Sequence, residues 1–430
     1  MKRRDFIKAA GIAAAGSFIV PYILPSGRLF AASGSRIANH VIFCLFAGGV
    51  RNIESMHFGD GNLMPYTLPG NDPISASIAG SMSNLPAPSG QPLLKYGTLF
   101  KEFRYKQGST GHTRAHQTAI TGNYAINDNA LNNRPVTPTV FEYYRKHSSP
   151  TKQAMSAWWV SNQLGPYPNL NYSSHPDYGA LYGANYIQPY SILSTSYSNP
   201  LVLSDLDRSK TAGLRDFCDN NFSGNYVSGD AGVTNTPDDA KLIESFINRS
   251  VAEAQAGQYN SFWGVNANVI NNDMLNVYFA EKIIEEFQPE LLVVNMTDID
   301  TCHQNFTRYC DNIRKADLAL AQLWNTIQST PGMANDTILI AAPEHGRNLQ
   351  PNTIADQNGR YALDHTGDDT SREIFCLVLG PLGKVNQNQT IATQVGESID
   401  IVPTMATILG FNTEIPSGLL PGRHLEEAFV

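Results

Sequence analysis

Apolar residues in the carboxyl-terminal third of the chain form short continuous runs, separated by stretches of helical spacing. The runs 291–294, 337–341 and 374–379 are almost wholly apolar, which is typical of buried parallel strands. Apolar residues three or four positions apart predict helices over 272–288 and 311–328, on either side of the first run. Strands alternating with helices of this length predict an α/β fold with a central, mostly parallel sheet and helices on both faces.

The first half of the chain is less regular. The apolar run His40–Phe46 predicts a strand that ends in two glycines, and short helices are predicted over 114–122 and 140–147. From about 155 to 265 the chain is rich in Tyr, Asn and Ser and has no clear period, so we expect an insertion of loops and short elements there. The predicted architecture is one domain over 33–430 that carries this insertion.

The amino terminus predicts an export signal. Arg3 and Arg4 precede an uncharged run, 9–24, and the small residues Ala31-Ala32 could form a cleavage site. Together these features indicate a twin-arginine signal peptide over residues 1–32. The alternative is a retained membrane anchor. The run is short of the roughly twenty apolar residues that a spanning helix needs and is broken by a proline, so removal is favoured. We therefore expect a periplasmic or secreted protein without a membrane span after signal removal.

Charge argues against one class of binding partner, and the cysteine content limits the possible disulfide bonds. A net charge of -8, spread along the chain, argues against nucleic acid as a partner. Five cysteines without a C-x-x-C motif are too few for a disulfide framework. Cys44 and Cys376 lie in apolar runs and are expected in the core. Cys302 and Cys310 could form a bridge in an oxidising compartment.

Polar side chains follow or precede the predicted strands of the carboxyl-terminal third. Because such strand ends meet at one edge of a parallel sheet, we expect these side chains to converge in a single crevice. Three histidines with several carboxylates form a ligand set suited to zinc or manganese. The candidate metal ligands are Asp298, Asp300, His303, Glu344, His345 and His365.

The order of these motifs resembles the alkaline phosphatase superfamily, which includes cofactor-independent phosphoglycerate mutases, nucleotide pyrophosphatases and sulfatases. Upstream, the segment 113–122 is similar to the nucleophile segment of that family. The twin-arginine start and Gly48-Gly49 resemble uncharacterised exported bacterial proteins related to sulfatases. The motifs that carry the resemblance are Asp300 with His303, a helix bearing Asp317, Glu344-His345-Gly346, His365 and the Asp-Ile-Val-Pro-Thr sequence 400–404.

The resemblance implies an alkaline-phosphatase-like fold and a metal-dependent hydrolase of phosphate esters on small or polymeric substrates, with sulfate esters as the second choice. One divalent metal, such as zinc, would be held by Asp300, His303 and His365. A second would be held by Glu344, His345 and the Thr113 oxygen. A metal pair of this kind stabilises both the attacking and the leaving oxygen. Thr113 would be the nucleophile, and Arg114 or Arg347 would hold the remaining substrate oxygens.

The sequence departs from the family pattern at three places. The aspartate expected after the first strand is Ala47, so the second metal lacks a ligand unless Glu54 or His112 substitutes. The spacing from Asp300 to His303 is one residue short, which leaves Asp298 as a competing ligand. The nucleophile segment is also one residue short, so the alternatives to Thr113 are Ser109, Thr110 and Thr118.

These departures leave a second hypothesis beside the hydrolase. The chain could be a non-catalytic secreted relative with a degenerate metal site, acting as a binding or assembly protein. The absence of Cys-x-Pro-Ser-Arg argues against a formylglycine sulfatase. No dinucleotide-binding, haem or C-x-x-C motif supports a redox enzyme.

Overall fold

An eight-stranded mixed sheet forms the centre of the molecule. The computed structural model describes residues 35–125, 134–148, 153–162, 170–193, 233 and 235–430, so the predicted signal peptide lies outside the described residues, as does Cys218. The main-sheet strands are β1 (His40–Phe46), β2 (Gly97–Arg104), β3 (Ala157–Val160), β4 (Asn185–Ile187), β7 (Leu291–Met296), β8 (Thr337–Pro343), β9 (Glu373–Leu379) and β10 (Gln389–Ile391); β5 (Ser261–Phe262) and β6 (Val265–Asn266) form a separate hairpin.

The strand order is β10-β2-β9-β8-β1-β7-β3-β4. β8, β1, β7, β3 and β4 are mutually parallel, whereas β9 pairs antiparallel with both β8 and β2. The first strand of the chain is therefore central, between two strands that come from its last third. The amino end of β9 lies at the same sheet edge as the carboxyl ends of β1, β7 and β8.

Helices cover both faces of this sheet. They are α1 (Ala76–Ala79), α2 (His112–Thr121), α3 (Val140–His147), α4 (Pro189–Leu193), α5 (Pro237–Gln255), α6 (Asn272–Phe287), α7 (Phe306–Ser329) and α8 (Ile401–Ile408). Alternate residues of β1 enter two different cores, because successive strand side chains point to opposite faces. Ile42 and Cys44 pack with α6 and α7, and Val41 and Phe43 pack with α2, α3 and α8.

Side chains fix where several of these helices begin. Asn271 accepts a hydrogen bond from the Met274 amide at the start of α6, and Asn305 accepts one from the Arg308 amide at the start of α7. α2 differs, because Gly111 precedes it and no side chain caps its first amides. The amino end of α2 is therefore free to bind another acceptor.

The predicted fold class is confirmed by this topology. The predicted helix over 311–328 is longer at its start, because Asn305 caps it, and the predicted segment 155–265 contributes β3 and β4 to the main sheet. The four described cysteines are free and buried, so Cys302 and Cys310 are not bridged, while Cys44 and Cys376 lie in the core as predicted. None of the described helices is long and apolar enough to cross a membrane.

Candidate metal centre

Two groups of potential metal ligands meet at the edge where β1, β7 and β8 end. We call His112, Asp300, His303 and His365 the aspartate cluster; one ligand atom of each lies within 4.8 Å of the others. The glutamate cluster consists of His112, Glu344 and His345, by the same criterion. The two clusters share His112.

The aspartate cluster is assembled from three separate elements. Asp300 and His303 lie on a 3₁₀ turn directly after β7, His112 opens α2, and His365 lies in the loop before β9. Nε2 of His112 is 2.9 Å from Oδ1 of Asp300, and Nε2 of His303 is 3.3 Å from the same oxygen. The His303 and His365 rings have centroids 4.8 Å apart.

The glutamate cluster lies deeper at the same edge. Glu344 and His345 follow β8 directly, and both are fully buried. Oε1 of Glu344 is 2.7 Å from Nδ1 of His112, and Nε2 of His345 is 3.2 Å from that same nitrogen. The rings of His345 and His365 stack with centroids 4.2 Å apart, so the two clusters form one continuous site.

Three of the imidazoles have Nδ1 engaged by an oxygen. Nδ1 of His345 is 2.7 Å from the Gly346 carbonyl oxygen, and Nδ1 of His365 is 2.7 Å from the Thr110 carbonyl oxygen. Nδ1 of His303 is 2.5 Å from Oδ1 of Asp364. A proton held on Nδ1 by such a partner leaves Nε2 as the free lone pair, which is the usual arrangement around a metal-bound histidine.

The two carboxylates of the site supply negative charge for a cation. Burial alone would raise the pKa of the Asp300 and Glu344 carboxyls, but the imidazoles around them hold both well below their usual range. Burial lowers the pKa of His345 and, with the neighbouring imidazoles, that of His365. Burial also opposes protonation of His112, but Glu344 and Asp300 raise its pKa to about 9. Both carboxylates are thus ionised at neutral pH.

The loop after β1 packs directly on these ligands. The Gly48 amide donates to Oε1 of Glu344 at 2.7 Å. A Cβ on Gly49 would lie 2.3 Å from Nδ1 of His345, and Gly49 has a φ of +81° that favours glycine. The main chain of Gly48 and Gly49, directly after Ala47, is therefore in close contact with the ligands.

Arg347 holds this loop in place by hydrogen bonds. Its guanidinium is fully buried and donates to the carbonyl oxygens of Gly48, Gly49 and Leu363 and, at 2.8 Å, to Oδ1 of Asp300. The predicted role, in which Arg347 holds substrate oxygens, stays a prediction. Arg114, the other predicted clamp, is half-buried on α2 and lies against Gly108.

The four candidate hydroxyls have different surroundings. Ser109 accepts from the Gly111 amide, and Thr110 donates to the His365 carbonyl oxygen. Thr118 is fully buried. Thr113 is half-buried in the first turn of α2, next to His112, and its oxygen, like that of Thr118, is buried without a hydrogen-bond partner among the described residues.

Three other predicted or suggested residues lie outside both clusters. The Asp298 carboxylate accepts from the main-chain and side-chain amides of Asn272, so the structure places it at the start of α6. Glu54 is paired with Arg51 at 2.5 Å and is not near the glutamate cluster. Asp317 accepts from the Tyr66 amide within the core. Of the two suggested substitutes for the missing ligand, His112 is the one that joins the site.

Two residues near the site were missed from the sequence. Asp364 contacts Nδ1 of His303, as described above. His116 lies one helical turn after His112, with Nδ1 4.0 Å from Oε2 of Glu344. The signal that indicates His116 is the spacing His-x-x-x-His, which places two imidazoles on one face of a helix.

The chain is similar to several solved structures. A protein in the alkaline phosphatase superfamily from Vibrio parahaemolyticus is 11% identical, with 97% of this chain and 79% of that one covered and a TM-score of 0.44. The wild-type alkaline phosphatase PafA is 12% identical, with coverages of 91% and 99% and a TM-score of 0.45. The PsFucS1 sulfatase from Pseudoalteromonas sp. is 11% identical, with coverages of 90% and 70% and a TM-score of 0.48.

The first of these structures is described as a member of the superfamily that the sequence motifs resemble. No known sequence family and no curated protein matches the chain. At these identities and TM-scores the likeness assigns neither a reaction nor a residue role, so both are argued below from the site itself.

The site fits a divalent cation on its own chemistry. Nε2 of His303 is 3.3 Å from an Asp300 oxygen and Nε2 of His345 is 3.3 Å from a Glu344 oxygen, and the other ring nitrogen of each is engaged. Oε2 of Glu344 is buried without a hydrogen-bond partner among the described residues, a costly state unless a ligand compensates it. Nitrogen and carboxylate oxygen are the donors that zinc takes in catalytic sites.

Proposed function

We propose that this protein is an exported, metal-dependent hydrolase of phosphate esters, with sulfate esters as the second choice of substrate, and with Thr113 as its nucleophile. The observation that carries the proposal is the meeting of four imidazoles with Asp300 and Glu344 at one sheet edge, three of them with Nδ1 engaged by an oxygen. Asp300, His303 and His365 would hold a divalent cation such as zinc, with His112 beside them. That cation, when bound, would neutralise negative charge on the ester oxygens.

Thr113 is the best-placed of the four candidate hydroxyls. Ser109 and Thr110 already hold main-chain groups in place, and Thr118 lies further along α2, away from its uncapped amino end. Thr113 follows His112 directly and lies at the uncapped amino end of α2, where free amides favour an anion. These contacts support Thr113 as the attacking group and Arg114 as a neighbouring cation.

The chain's own residues supply the steps of an in-line displacement. The Thr113 oxygen forms a bond to phosphorus as the bond from phosphorus to the leaving oxygen breaks, and the Thr113 proton passes to solvent or to the leaving group. The free amides of α2 stabilise the charge on the transferring group. Water then attacks the phosphothreonine, which releases phosphate and restores the hydroxyl.

Hydrolysis of a generic aryl phosphate by the full-length mature chain, loaded with zinc or manganese, tests this function. Thr113→Ala should reduce kcat by about 1,000-fold or more, whereas Thr113→Ser should retain measurable turnover because it keeps the hydroxyl. Ser109→Ala is the matched control and should retain most of the activity. Acid-quenched protein should gain the mass of one phosphoryl group in the wild type and not in Thr113→Ala.

Two results would contradict the proposal. Full activity in Thr113→Ala would transfer the nucleophile role to another hydroxyl or to water. Metal-loaded, folded protein that hydrolyses neither aryl phosphate nor aryl sulfate would favour the alternative, a secreted binding or assembly protein.

Export is tested separately by the amino terminus of the secreted product. We expect mature protein to begin near Ser33 and to accumulate outside the cytoplasm. Replacing Arg3 and Arg4 by lysine should retain the precursor inside the cell, and export of that variant at the wild-type level would refute the twin-arginine route.

A further inference from the structure

The turn that carries Asp300 and His303 is anchored by a buried carboxylate on α6. Asp273, the second residue of α6, is fully buried. Its Oδ1 accepts hydrogen bonds from the main-chain amides of Thr297 at 2.5 Å and Asp298 at 3.0 Å, and its Oδ2 accepts from the Asp298 amide at 3.1 Å. These amides directly follow β7 and begin the 3₁₀ turn 298–303, so the carboxylate fixes where the turn starts.

Asp298 makes the reciprocal contact from the turn to α6. Its Oδ2 accepts from the Asn272 main-chain amide at 2.8 Å, and its Oδ1 accepts from the Asn272 side-chain amide at 3.2 Å. Asn272 is the first residue of α6, and an amide at this position has no acceptor within its own helix. Each of the two segments therefore donates main-chain amides to a carboxylate of the other.

Two other elements contact the same turn. Nδ2 of Asn312, on α7, donates to the Asp298 carbonyl oxygen at 2.6 Å and to Oγ1 of Thr301 at 3.2 Å. A Cβ on Gly48 would lie 2.6 Å from the main-chain nitrogen of Asp300, so the loop after β1 also packs on the turn. The turn is thus held by α6, α7 and this loop, and its main chain can shift only if one of these contacts is broken.

We propose that Asp273 and Asp298 are positioning residues, which fix the main chain of the turn so that Asp300 and His303 meet in the aspartate cluster. Neither carboxylate belongs to that cluster. Asp298 was a candidate ligand from the sequence, but both of its oxygens accept from Asn272. Hydrogen bonds that orient the ligands of a metal contribute to its affinity in general.

The inference rests on the proposed function in one respect, since the cation that Asp300 and His303 would hold is the cation proposed there. The role assigned to Asp273 requires an acceptor and not a charge, because Oδ1 alone receives both main-chain amides. An asparagine oxygen at the same position can accept the same two hydrogen bonds.

Zinc titration of metal-free protein tests Asp273 without measuring activity. Asp273→Ala removes the acceptor of both amides and should weaken zinc binding by about 10- to 100-fold. Asp273→Asn keeps that acceptor and should restore most of the affinity. The control is Asp336→Ala, because Asp336 also accepts the main-chain and side-chain amides of one residue, Asn39, but lies at the opposite end of β1, where its loss should leave zinc affinity unchanged.

Asp298 distinguishes positioning from direct ligation. Asp298→Asn keeps an oxygen that can accept from the Asn272 amide, so it should bind zinc more tightly than Asp298→Ala and nearly as tightly as the wild type. A zinc ligand at this position would lose its charge in Asp298→Asn, and binding would then weaken as much as in Asp300→Asn. That result would overturn the proposal, as would unchanged zinc affinity in Asp273→Ala.

Crystals of the wild-type chain grown with zinc provide a measurement that does not depend on any variant folding. We expect Asp300 and His303 to bind the ion while the Asp298 carboxylate stays within hydrogen-bond distance of the Asn272 amide. An ion bound by Asp298 in place of Asp300 would overturn the proposal.

The failure of this inference can be told apart from the failure of the proposed function. Aryl phosphate hydrolysis by the wild type, with the same zinc affinity in Asp273→Ala, would remove the positioning role and leave the hydrolase. Weakened zinc binding in Asp273→Ala, restored in Asp273→Asn, without hydrolysis of any ester by the wild type would keep the positioning role and remove the hydrolase.

Discussion

Arg347 lies beside the candidate site and donates to four acceptors, although it belongs to neither cluster. Its buried guanidinium connects the glycine loop after β1 to Asp300 and to the Leu363 carbonyl oxygen before His365. A guanidinium suits this position because its planar array of donors reaches several acceptors at once. Arg347 therefore acts on the site by holding Asp300 and the loop in place.

Arg347→Met should destabilise the protein by roughly 3 kcal/mol, because it leaves a partly buried carboxylate and several carbonyl oxygens unpaired. The control is Arg423→Met, which removes an exposed pair with Glu427 and should cost less than about 1 kcal/mol. Urea unfolding of the metal-free proteins measures both values. Equal losses of unfolding free energy in the two variants would show that Arg347 contributes no more to stability than Arg423.

At the scale of elements, the site depends on a loop and a strand end that approach to van der Waals contact. Gly48 and Gly49 follow β1, and a Cβ at either position would collide with Asp300 or His345. Gly49 meets the Nδ1 edge of His345, the edge that is turned away from the cluster. The loop thus sets the orientation of that ring as well as closing one wall of the site.

Gly49→Ala should weaken zinc binding, because the new methyl group must displace the His345 ring. Gly359→Ala is the matched control: it has a similar positive φ of +74° but open space around its Cβ position. Both variants should lose about 1–2 kcal/mol of stability from backbone strain. Isothermal titration should then show weaker zinc binding for Gly49→Ala than for Gly359→Ala. Equal zinc affinities would contradict the steric argument.

A buried carboxylate also joins three elements away from the site. Glu281 on α6 accepts from the Trp263 indole at 2.9 Å and from the Thr326 hydroxyl on α7 at 3.1 Å. Burial raises its pKa to about 8, against these two hydrogen bonds, which lower it. Since the unfolded chain releases this proton near the ordinary glutamate pKa, ionisation favours unfolding as the pH rises toward 8.

Glu281→Gln should therefore match the wild type in stability near pH 4.5 and exceed it at pH 9. The gain is a few kcal/mol at most, at about 1.4 kcal/mol per pKa unit. The amide can still accept from Trp263 and donate to Thr326, so packing is retained. Unfolding free energies from pH 4.5 to 9 measure the difference, and parallel curves for the two proteins would refute it.

The sequence predicted those features that depend on local apolar runs or on the order of motifs along the chain. The apolar runs located β1, β7, β8 and β9, and the order of motifs along the chain selected Asp300, His303, His345 and His365, which the structure brings together. Asp298 was selected because it is near Asp300 in sequence, but a turn between them directs it toward α6.

Strand direction and contacts between distant residues could not be predicted, because the spacing of apolar residues contains no information about them. Apolar runs give no direction, so the antiparallel course of β9 could not be inferred, although it is what brings His365 to the shared edge. The partner of His116 is Glu344, more than 200 residues further along the chain. Only the folded sheet brings the two together.

At the scale of the whole molecule, cation binding should couple to global stability because the ligands come from α2, β7, β8 and the loop before β9. A chelator should lower the melting temperature by several degrees, and zinc at 100 times its dissociation constant should restore about 2.7 kcal/mol. A variant with both His303 and His345 replaced by Gln should show no response to chelator. A response equal to that of the wild type would place the stabilising cation elsewhere.

The central place of β1 has a consequence for synthesis on the ribosome. Its apolar segment emerges early, yet both of its neighbours, Leu291–Met296 and Thr337–Pro343, are translated some 250 residues or more later. Throughout that interval His40–Phe46 has no native pairing partner, and unpaired apolar strands are prone to self-association. The nascent chain should therefore require shielding by a chaperone until most of the polypeptide has been made.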